Sequence, residues 1–208
     1  MSLSTAIPRR RALRAGAALL SKYLTAGGAG VLLGLAVTFA IVERGKGFAA
    51  AESGPWTSWP RGGTPDLDPY TRAILAYSGK MALSGSAGIT FVASGDSWGA
   101  EFDSACDYVI EGEIPSARYW TLTLLSPEGI PIPNRANRHG FTSSEILRAS
   151  GGGFAVTVSR NARPGNWLPL GRSSRFILVL NLYDSELGAS LSSLSAGNMP
   201  RILKGRCG

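Results

Sequence analysis

FILVLNLY, residues 176–183, is the stretch that decides the fold of this 208-residue chain. It is a near-continuous run of branched and aromatic side chains, which predicts a strand. Apolar residues fall on both of its alternating faces, so we expect a central strand that is covered on both sides. Asn181 is its one polar residue and is expected to find a hydrogen-bond partner there.

Four other short runs of the same character precede this strand, at residues 89–93, 107–111, 119–125 and 154–159. Turn residues separate them, and the chain does not place a helical pattern after each strand. That spacing disfavours a parallel, doubly wound sheet. We therefore predict a mainly β fold, an antiparallel β-sandwich or jelly-roll-like domain with one or two short helices.

Capping signals mark the two short helices. Asp68 and the proline after it offer an N-cap and a first helical residue, which predicts a helix over residues 69–79. Thr142 and Glu145 have the spacing of a capping box, which predicts a second helix over residues 143–149.

The positive charge is concentrated ahead of the predicted strands. The formal charge is +7, and residues 1–48 hold seven bases and one acid, which is +6. The remaining residues hold 14 bases and 13 acids, which is +1. A nucleic-acid-binding domain would carry its excess on the folded part, so we expect no nucleic-acid partner and interpret the charge as a membrane-topology signal.

An uncharged apolar segment lies between Lys22 and Glu43. As a helix it spans about 30 Å, the thickness of a bilayer's hydrocarbon core. Five bases precede it and two follow it closely, which predicts a single pass through the inner membrane, with a cytoplasmic N-terminus and a periplasmic C-terminal domain. The alternative is a signal cleaved near Ala51, which would leave a soluble periplasmic protein.

These patterns predict five segments: a cytoplasmic basic tail (1–22), a transmembrane helix or uncleaved signal anchor (23–42), a linker that becomes an ordered lead-in (43–66), the β-sandwich domain (67–188) and a C-terminal tail (189–208). Gly30 and Gly34 form a small-xxx-small pattern, through which two membrane helices could form a homodimer. The alternative is that glycine is simply common in membrane helices.

The two cysteines, Cys106 and Cys207, are expected to form a disulfide, because an exported domain enters an oxidising compartment. The bond would close a loop of about 100 residues, for which the chain-entropy model gives about 4–5 kcal/mol of stabilisation. It would also hold the C-terminal tail against the domain.

GDSWG, residues 95–99, matches the pattern of a nucleophile elbow with Ser97 as the nucleophile. His139, the one histidine, follows in the chain order that such hydrolases use, with Asp103 or Asp107 between. No helical apolar stripe follows Ser97, so a polar hairpin loop is the better interpretation. We assign no catalytic residue beyond the candidates Ser97 and His139.

Cofactor motifs are missing from the sequence. One histidine and two cysteines expected in a disulfide give no metal-ligand spacing, and there is no phosphate loop or dinucleotide fingerprint. We expect neither a metal nor another cofactor.

Basic, amide and aromatic residues in two loops are the more suggestive set: Arg135, Arg138, His139, Arg163, Asn166, Trp167 and Arg172. Tryptophan would stack on a sugar face, and arginine forms forked hydrogen bonds to carboxylate or phosphate. Such loops would suit an anionic glycan or a lipid headgroup. The alternative is that Trp167 plugs one end of the core while the arginines pair with nearby acids.

Several motifs are spread over the domain: TSWP at 57–60, TPD at 64–66, DPY at 68–70, CDY at 106–108, RYWTLTL at 118–124, PN at 133–134, RHGFTS at 138–143, GNWLP at 165–169 and LYD at 182–184. Together they make residues from about 56 to the C-terminus resemble the bacterial envelope family known as domain of unknown function 1214 (DUF1214). The resemblance implies an exported or membrane-anchored β-sandwich and carries no established activity. Asn181 departs from the pattern, in which an arginine usually precedes the Leu-Tyr of the last strand.

Residues and resemblance together predict a membrane-anchored periplasmic protein, more a binding protein than an enzyme, whose partner is a glycan, a lipid or another protein. One alternative is a hydrolase that acts on an envelope polymer or ester. The other is a structural subunit that associates through its transmembrane helix.

Overall fold

The computed structural model describes residues 7–44, 47–48, 50–77, 83, 87–185 and 199–208. The chain divides into two compact units, Met1–Arg44 and Gly45–Gly208. The elements are α1 (Ile7–Arg44), β1 (Ala51–Ser53), β2 (Trp56–Ser58), α2 (Pro69–Tyr77), β3 (Gly88–Ala93), β4 (Cys106–Gly112), β5 (Tyr119–Leu125), β6 (Gly140–Thr142), β7 (Phe154–Ser159), β8 (Asn166–Pro169), β9 (Ile177–Tyr183) and β10 (Arg201–Cys207).

The first unit contains the single long helix α1. Its segment Leu19–Glu43, 25 residues, is long and apolar enough to cross a membrane, and a signal sequence near the N-terminus would have the same length and composition. The helix also includes residues 7–18, because alanine, leucine and arginine there are strong helix formers. Gly30 and Gly34 lie about one turn apart on it, and dimerisation through them stays a prediction.

The second unit is built from two sheets. One has six strands in the order β1-β2-β3-β9-β5-β6, and the other has four in the order β10-β4-β7-β8. Side chains of both sheets meet in one core cluster, so the predicted mainly β, two-layer fold is confirmed. A wholly antiparallel arrangement is wrong for one pair: β7 and β8 are parallel, because the chain returns from Ser159 to the starting end of β7 before β8 begins.

Strand β9 is central in the six-stranded sheet, as predicted. Leu180 lies opposite Phe91 of β3 on one side and Leu122 of β5 on the other. Leu178, Leu180 and Leu182 have no exposed surface and form part of the core between the sheets. Burial of each such leucine stabilises the fold by about 1.5–3 kcal/mol.

The outer face of β9 explains why its apolar run is continuous. Ile177 packs there with Leu75 of α2 and with Trp59 in a second, smaller cluster. Helix α2 therefore covers part of this face. The predicted helix over 69–79 is confirmed for Pro69–Tyr77, and residues 78 and 79 lie outside the described residues. Asn181, farther along the same face, accepts a hydrogen bond from Thr90 Oγ1 at 2.7 Å and donates one to Thr121 Oγ1 at 3.3 Å.

Strand β10 lies within the segment expected to be a tail. It pairs with β4, and only Ile202 among its residues is buried. The sequence therefore shows little apolar alternation there. Cys106 and Cys207 form the expected disulfide, which joins the ends of these two paired strands.

The predicted helix over residues 143–149 is wrong. Residues 143–145 form a single turn. The Glu145 carboxylate accepts two hydrogen bonds there, from the Thr142 hydroxyl at 2.9 Å and from the Thr142 N–H at 3.3 Å. The contact from the Thr142 N–H to Glu145 is one of the two contacts of a capping box, but the Glu145 N–H bonds to the Thr142 carbonyl and not to its hydroxyl, and the helix does not continue. Its next residues are held instead by Asn166, which binds the backbone of Leu147.

Candidate functional site

The Gly95–Gly99 segment is a tight turn fixed by its own side chains. Asp96 is buried, and its Oδ1 accepts hydrogen bonds from the N–H groups of Trp98 at 2.9 Å and Ala100 at 3.0 Å. Such contacts are typical of an Asx turn. The aspartate of the motif therefore builds the loop, and Trp98 is left 74% exposed at its tip.

Ser97 attaches this turn to strand β10. Its Oγ accepts a hydrogen bond from the Ile202 N–H at 2.8 Å, and its own N–H donates to the Ile202 carbonyl at 2.9 Å. A nucleophilic serine needs its hydroxyl within reach of a base. Here the hydroxyl oxygen already serves as an acceptor along the edge of the sheet.

His139 lies immediately before β6, and its carbonyl accepts a hydrogen bond from the Leu124 N–H at 2.8 Å. Its Nδ1 atom is shielded from solvent and meets no hydrogen-bond partner within the described part of the chain. The contacts of the described residues do not join it to Ser97. The structure therefore supplies no nucleophile–base pair from these two candidates.

Arg138 and Trp167, two of the predicted binding residues, are in contact. Arg138 Nη1 donates to the Trp167 carbonyl at 3.4 Å, and the guanidinium lies 5.1 Å from the centre of the Phe141 ring. Asn134 closes the loop that carries Arg138, since it donates to the Arg138 carbonyl at 2.8 Å and accepts from the Arg138 N–H at 3.1 Å. The loop is thus held in one conformation beside β8.

The loop that follows β8 packs closely against the loop that carries Arg138. At Gly171 φ is +63°, and a Cβ there would lie 2.5 Å from the Pro133 carbonyl oxygen. Only glycine combines that backbone conformation with so close an approach. Arg160 holds the loop from its other side, donating to the Gly171 carbonyl at 3.3 Å and to the Ser173 carbonyl at 2.9 Å.

Arg135, Arg138 and Arg172 therefore lie on two adjoining loops, and we call these three residues the arginine rim. All three are exposed. Within the described residues, Arg135 and Arg172 make neither an ion pair nor a side-chain hydrogen bond. Guanidinium groups that are not neutralised by nearby acids attract anions.

Arg175, at the end of the same loop, differs from the rim because it faces an acid. The pKa of Glu128 is lowered, first by a hydrogen bond from Ser126 and to a smaller extent by the positive charge of Arg175. We therefore leave Arg175 out of the rim.

Arg163 and Asn166 have structural partners. Arg163 is ion-paired with Asp107 of β4, with Nε 3.1 Å from Oδ2, as the alternative interpretation of the arginines expected. Asn166 is 7% exposed and uses its amide on the backbone of Leu147 and on the Ala155 carbonyl. Neither side chain is free to meet a ligand in this conformation.

Trp167 is half-buried, and its Nε1 donates to the Ser159 carbonyl at 3.2 Å. The residues of this stretch that enter the core are Leu168 and Leu170, both without exposed surface. The interpretation of Trp167 as a core plug is therefore wrong, because alternation along β8 turns it to the outer side. It lies beside Arg138 and flanks the rim.

Arg148 is a candidate that the sequence did not reveal. It borders one surface hollow of about 620 Å³ and another of about 290 Å³. Its guanidinium lies 5.9 Å from the Trp120 ring centre, and Nη1 donates to the Gly152 carbonyl at 3.2 Å. These contacts engage the side chain in holding its own loop.

Residues 87–187 match the family model described as Protein of unknown function (DUF1214). Over these residues, a little under half of the chain, the protein is similar to the DUF1214 family. The DUF1214 region runs through strands β3 to β9 and includes the whole arginine rim, whereas α2 and β10 lie outside it. None of the curated proteins matches the chain.

Two solved structures align with this chain. The VPA0106 protein from Vibrio parahaemolyticus aligns with a TM-score of 0.58 and 19% identity, over 89% of this chain and 46% of that one. An uncharacterized protein from Burkholderia cenocepacia aligns with a TM-score of 0.38 and 13% identity, over 83% of this chain and 49% of that one. The chain thus spans a little under half the length of these proteins, and the likeness to the Vibrio protein shows the fold alone.

Proposed function

We propose that this chain is an envelope protein, anchored in the inner membrane by α1 with its β domain in the periplasm, and that the arginine rim binds an anionic ligand. The ligand chemistry is a carboxylate or phosphate, carried by a glycan or by a lipid headgroup. The apolar segment Leu19–Glu43 and the bases ahead of it support the anchor and its orientation.

The observation that carries the proposed binding site is the state of Arg135 and Arg172. Both guanidinium groups are exposed and meet no acid among the described residues, yet they lie on loops that are locked together at Gly171 and Pro133. Pre-positioned groups bind with less loss of conformational entropy than groups on mobile loops. Each forked arginine contact to an anion contributes about 1.5–3 kcal/mol.

Trp167 supplies the second half of the proposed site. It is half-buried beside Arg138, so part of its indole face is open next to the cations. A sugar ring could stack on this face while its acidic group meets the rim. A lipid headgroup would contact the arginines alone. A substitution of Trp167 can therefore distinguish a glycan ligand from a lipid ligand.

The test uses the full chain in detergent, with an acidic polysaccharide rich in uronic acid as one probe and a short-chain phosphatidylglycerol as the other. We expect the triple variant R135Q/R138Q/R172Q to lose binding more than about tenfold, which corresponds to about 1.4 kcal/mol. The matched control R118Q/K204Q/R206Q removes the same charge from exposed positions outside the rim. Equal losses in the two triples, or no loss in the first, would contradict the proposed site.

Trp167→Leu then identifies the source of the anion. A loss of polysaccharide binding with unchanged lipid binding indicates a glycan that stacks on the indole. No effect of Trp167→Leu on either probe indicates recognition of the charged group by the rim alone, and an equal loss on both probes would contradict stacking of a sugar on the indole.

A further inference from the structure

Helix α2 presents apolar residues on two faces. Ile74 and Leu75 are buried, and Leu75 packs with Ile177 of the six-stranded sheet. On the other side, Tyr70, Ala73 and Tyr77 follow the i, i+3, i+7 spacing of one helix face and are exposed, Tyr77 to 83%. A surface helix normally turns polar residues to solvent, so this second face is unusual for a domain in water.

Phe48 extends the same exposed surface. Its side chain is 70% exposed, and its ring lies 5.6 Å from the ring of Tyr70 in an edge-on arrangement. We call Phe48, Tyr70, Ala73 and Tyr77 the aromatic face.

The covalent chain limits how far this face can lie from a membrane that α1 crosses. The apolar segment ends at Glu43, and Phe48 follows five residues later. Even a fully extended chain covers only about 3.3–3.6 Å per residue, so Phe48 stays within about 18 Å of the end of the membrane segment. The headgroup layer on each side of the hydrocarbon core is about 5–8 Å thick, so Phe48 is always within reach of it.

We infer that the aromatic face docks in the headgroup layer of the membrane in which α1 is anchored. The inference rests on the membrane anchoring in the proposed function, and not on the arginine rim. Tyrosine and other aromatic side chains favour this layer, because their rings leave water while their polar ends keep hydrogen bonds. Docking would hold the β domain at a fixed height above the bilayer.

The described acidic and basic side chains around the aromatic face balance one another. Arg61, Asp66 and Asp68 line one hollow together with Phe48, and Arg72 donates hydrogen bonds to the carbonyls of Pro65 and Leu67. Attraction to the bilayer therefore comes from the aromatic rings rather than from net charge. Docking is expected to be insensitive to salt, unlike binding of an anion at the arginine rim.

The test places a fluorescent probe on the face in the full chain, reconstituted in phosphatidylcholine vesicles. Cys106 and Cys207 are bonded to each other, so an environment-sensitive thiol dye labels only the new cysteine of Tyr77→Cys. The matched control is Leu147→Cys, which is 66% exposed and lies beside Asn166 of the four-stranded sheet. Quenching is measured with a nitroxide on the lipid headgroup and with iodide on both sides of the membrane.

We expect the ratio of lipid to iodide quenching to be about threefold higher or more at position 77 than at position 147, because a docked face is buried in the headgroup region. The ratio should not change in high salt. Equal ratios at the two positions, in protein that still floats with the vesicles after alkaline extraction, would overturn the docking and leave the anchor intact. Loss of flotation would overturn the anchor and the docking together, whereas polysaccharide binding at the rim is measured independently of both.

Discussion

The side-chain amide of Asn166 pairs with both backbone groups of Leu147, donating to its carbonyl at 2.8 Å and accepting from its N–H at 2.8 Å. The amide thus bonds to Leu147 as the backbone of a neighbouring strand would and holds it in place. A third bond, to the Ala155 carbonyl at 2.9 Å, ties the same side chain to β7. One buried residue therefore connects the 143–153 loop to two strands of the smaller sheet.

Replacing Asn166 by alanine is expected to lower the free energy of unfolding by about 2–4 kcal/mol, because buried backbone groups lose their partners. Urea unfolding followed by tryptophan fluorescence measures the change. Asn161→Ala is the control, since Asn161 is exposed and contributes only its backbone carbonyl to a hydrogen bond. Similar costs for the two substitutions would show that the amide contacts of Asn166 contribute little.

The same contact explains a limit of prediction from sequence. The capping-box pattern at Thr142 and Glu145 describes only local preferences, and the two side chains do contact each other. What stops the helix is a side chain 19 residues farther along the chain from Leu147. Pairing at that distance leaves no signal in the local sequence, and tertiary contacts routinely override local helix propensity.

The central strand could be predicted because nearly all of its residues are apolar, as burial on both faces requires. Leu178 and Leu180 face the core while Ile177 faces α2, so every position but Asn181 favours the same structure. Strand β10 shows the opposite case. Its one buried residue is Ile202, and its place is set by pairing with β4 and by the disulfide.

The sequence indicates which kinds of residue the candidate site contains, but not which individual arginines belong to it. Arg163 and Arg172 look alike in the sequence, and only the fold brings Asp107 to the first of them. The structural role of Ser97 in the GDSWG turn could not be predicted either, because its hydrogen-bond partner, Ile202, is distant in the sequence.

Breaking the disulfide is expected to lower the stability of the β domain. The two cysteines are 101 residues apart, and the chain-entropy model gives about 4–5 kcal/mol for a loop of that length. Urea unfolding of the oxidised chain is compared with that of C106S/C207S. A reductant should shift the midpoint of the wild type toward that of the variant and leave the variant unchanged. An unchanged midpoint in the reduced wild type would show that the pairing of β10 with β4 suffices without the bond.

Asp68 is expected to make the stability of α2 depend on pH. Its pKa is lowered from the usual 3.8, first by a hydrogen bond from the Thr71 hydroxyl and then by the Thr71 N–H, which lies 3.0 Å from Oδ1. Because the folded-state pKa is lowered, the stabilisation of the folded state by ionised Asp68 is complete at pH values above the pKa of Asp68 in the unfolded chain. It is lost as the pH falls through the folded value.

Asp68→Asn keeps a capping side chain and removes the charge. We therefore expect the wild type to unfold at higher temperature than Asp68→Asn at pH 6, and the difference to shrink as the pH falls below the unfolded pKa of 3.8. Thermal unfolding followed by circular dichroism at each pH gives the comparison. Asp66→Asn is the control, since Asp66 is exposed beside the same helix. A difference between Asp68→Asn and wild type that stays constant with pH would rule out the titration of Asp68 as its cause.

Gly171 is expected to determine whether the arginine rim is assembled. Alanine there would combine a strained backbone at φ +63° with a Cβ only 2.5 Å from the Pro133 carbonyl, and the loop would have to move away from Arg135 and Arg138. Gly165→Ala is the matched control: its φ is +80°, but no atom lies within 4 Å of the added Cβ.

Both variants should lose about 1–2 kcal/mol of stability from the positive φ. Only Gly171→Ala should also weaken binding of the acidic polysaccharide, because only it separates the two loops. If both glycine variants bind as tightly as the wild type, the rim does not need the loops to be locked together, and the positioning argument for Arg172 fails.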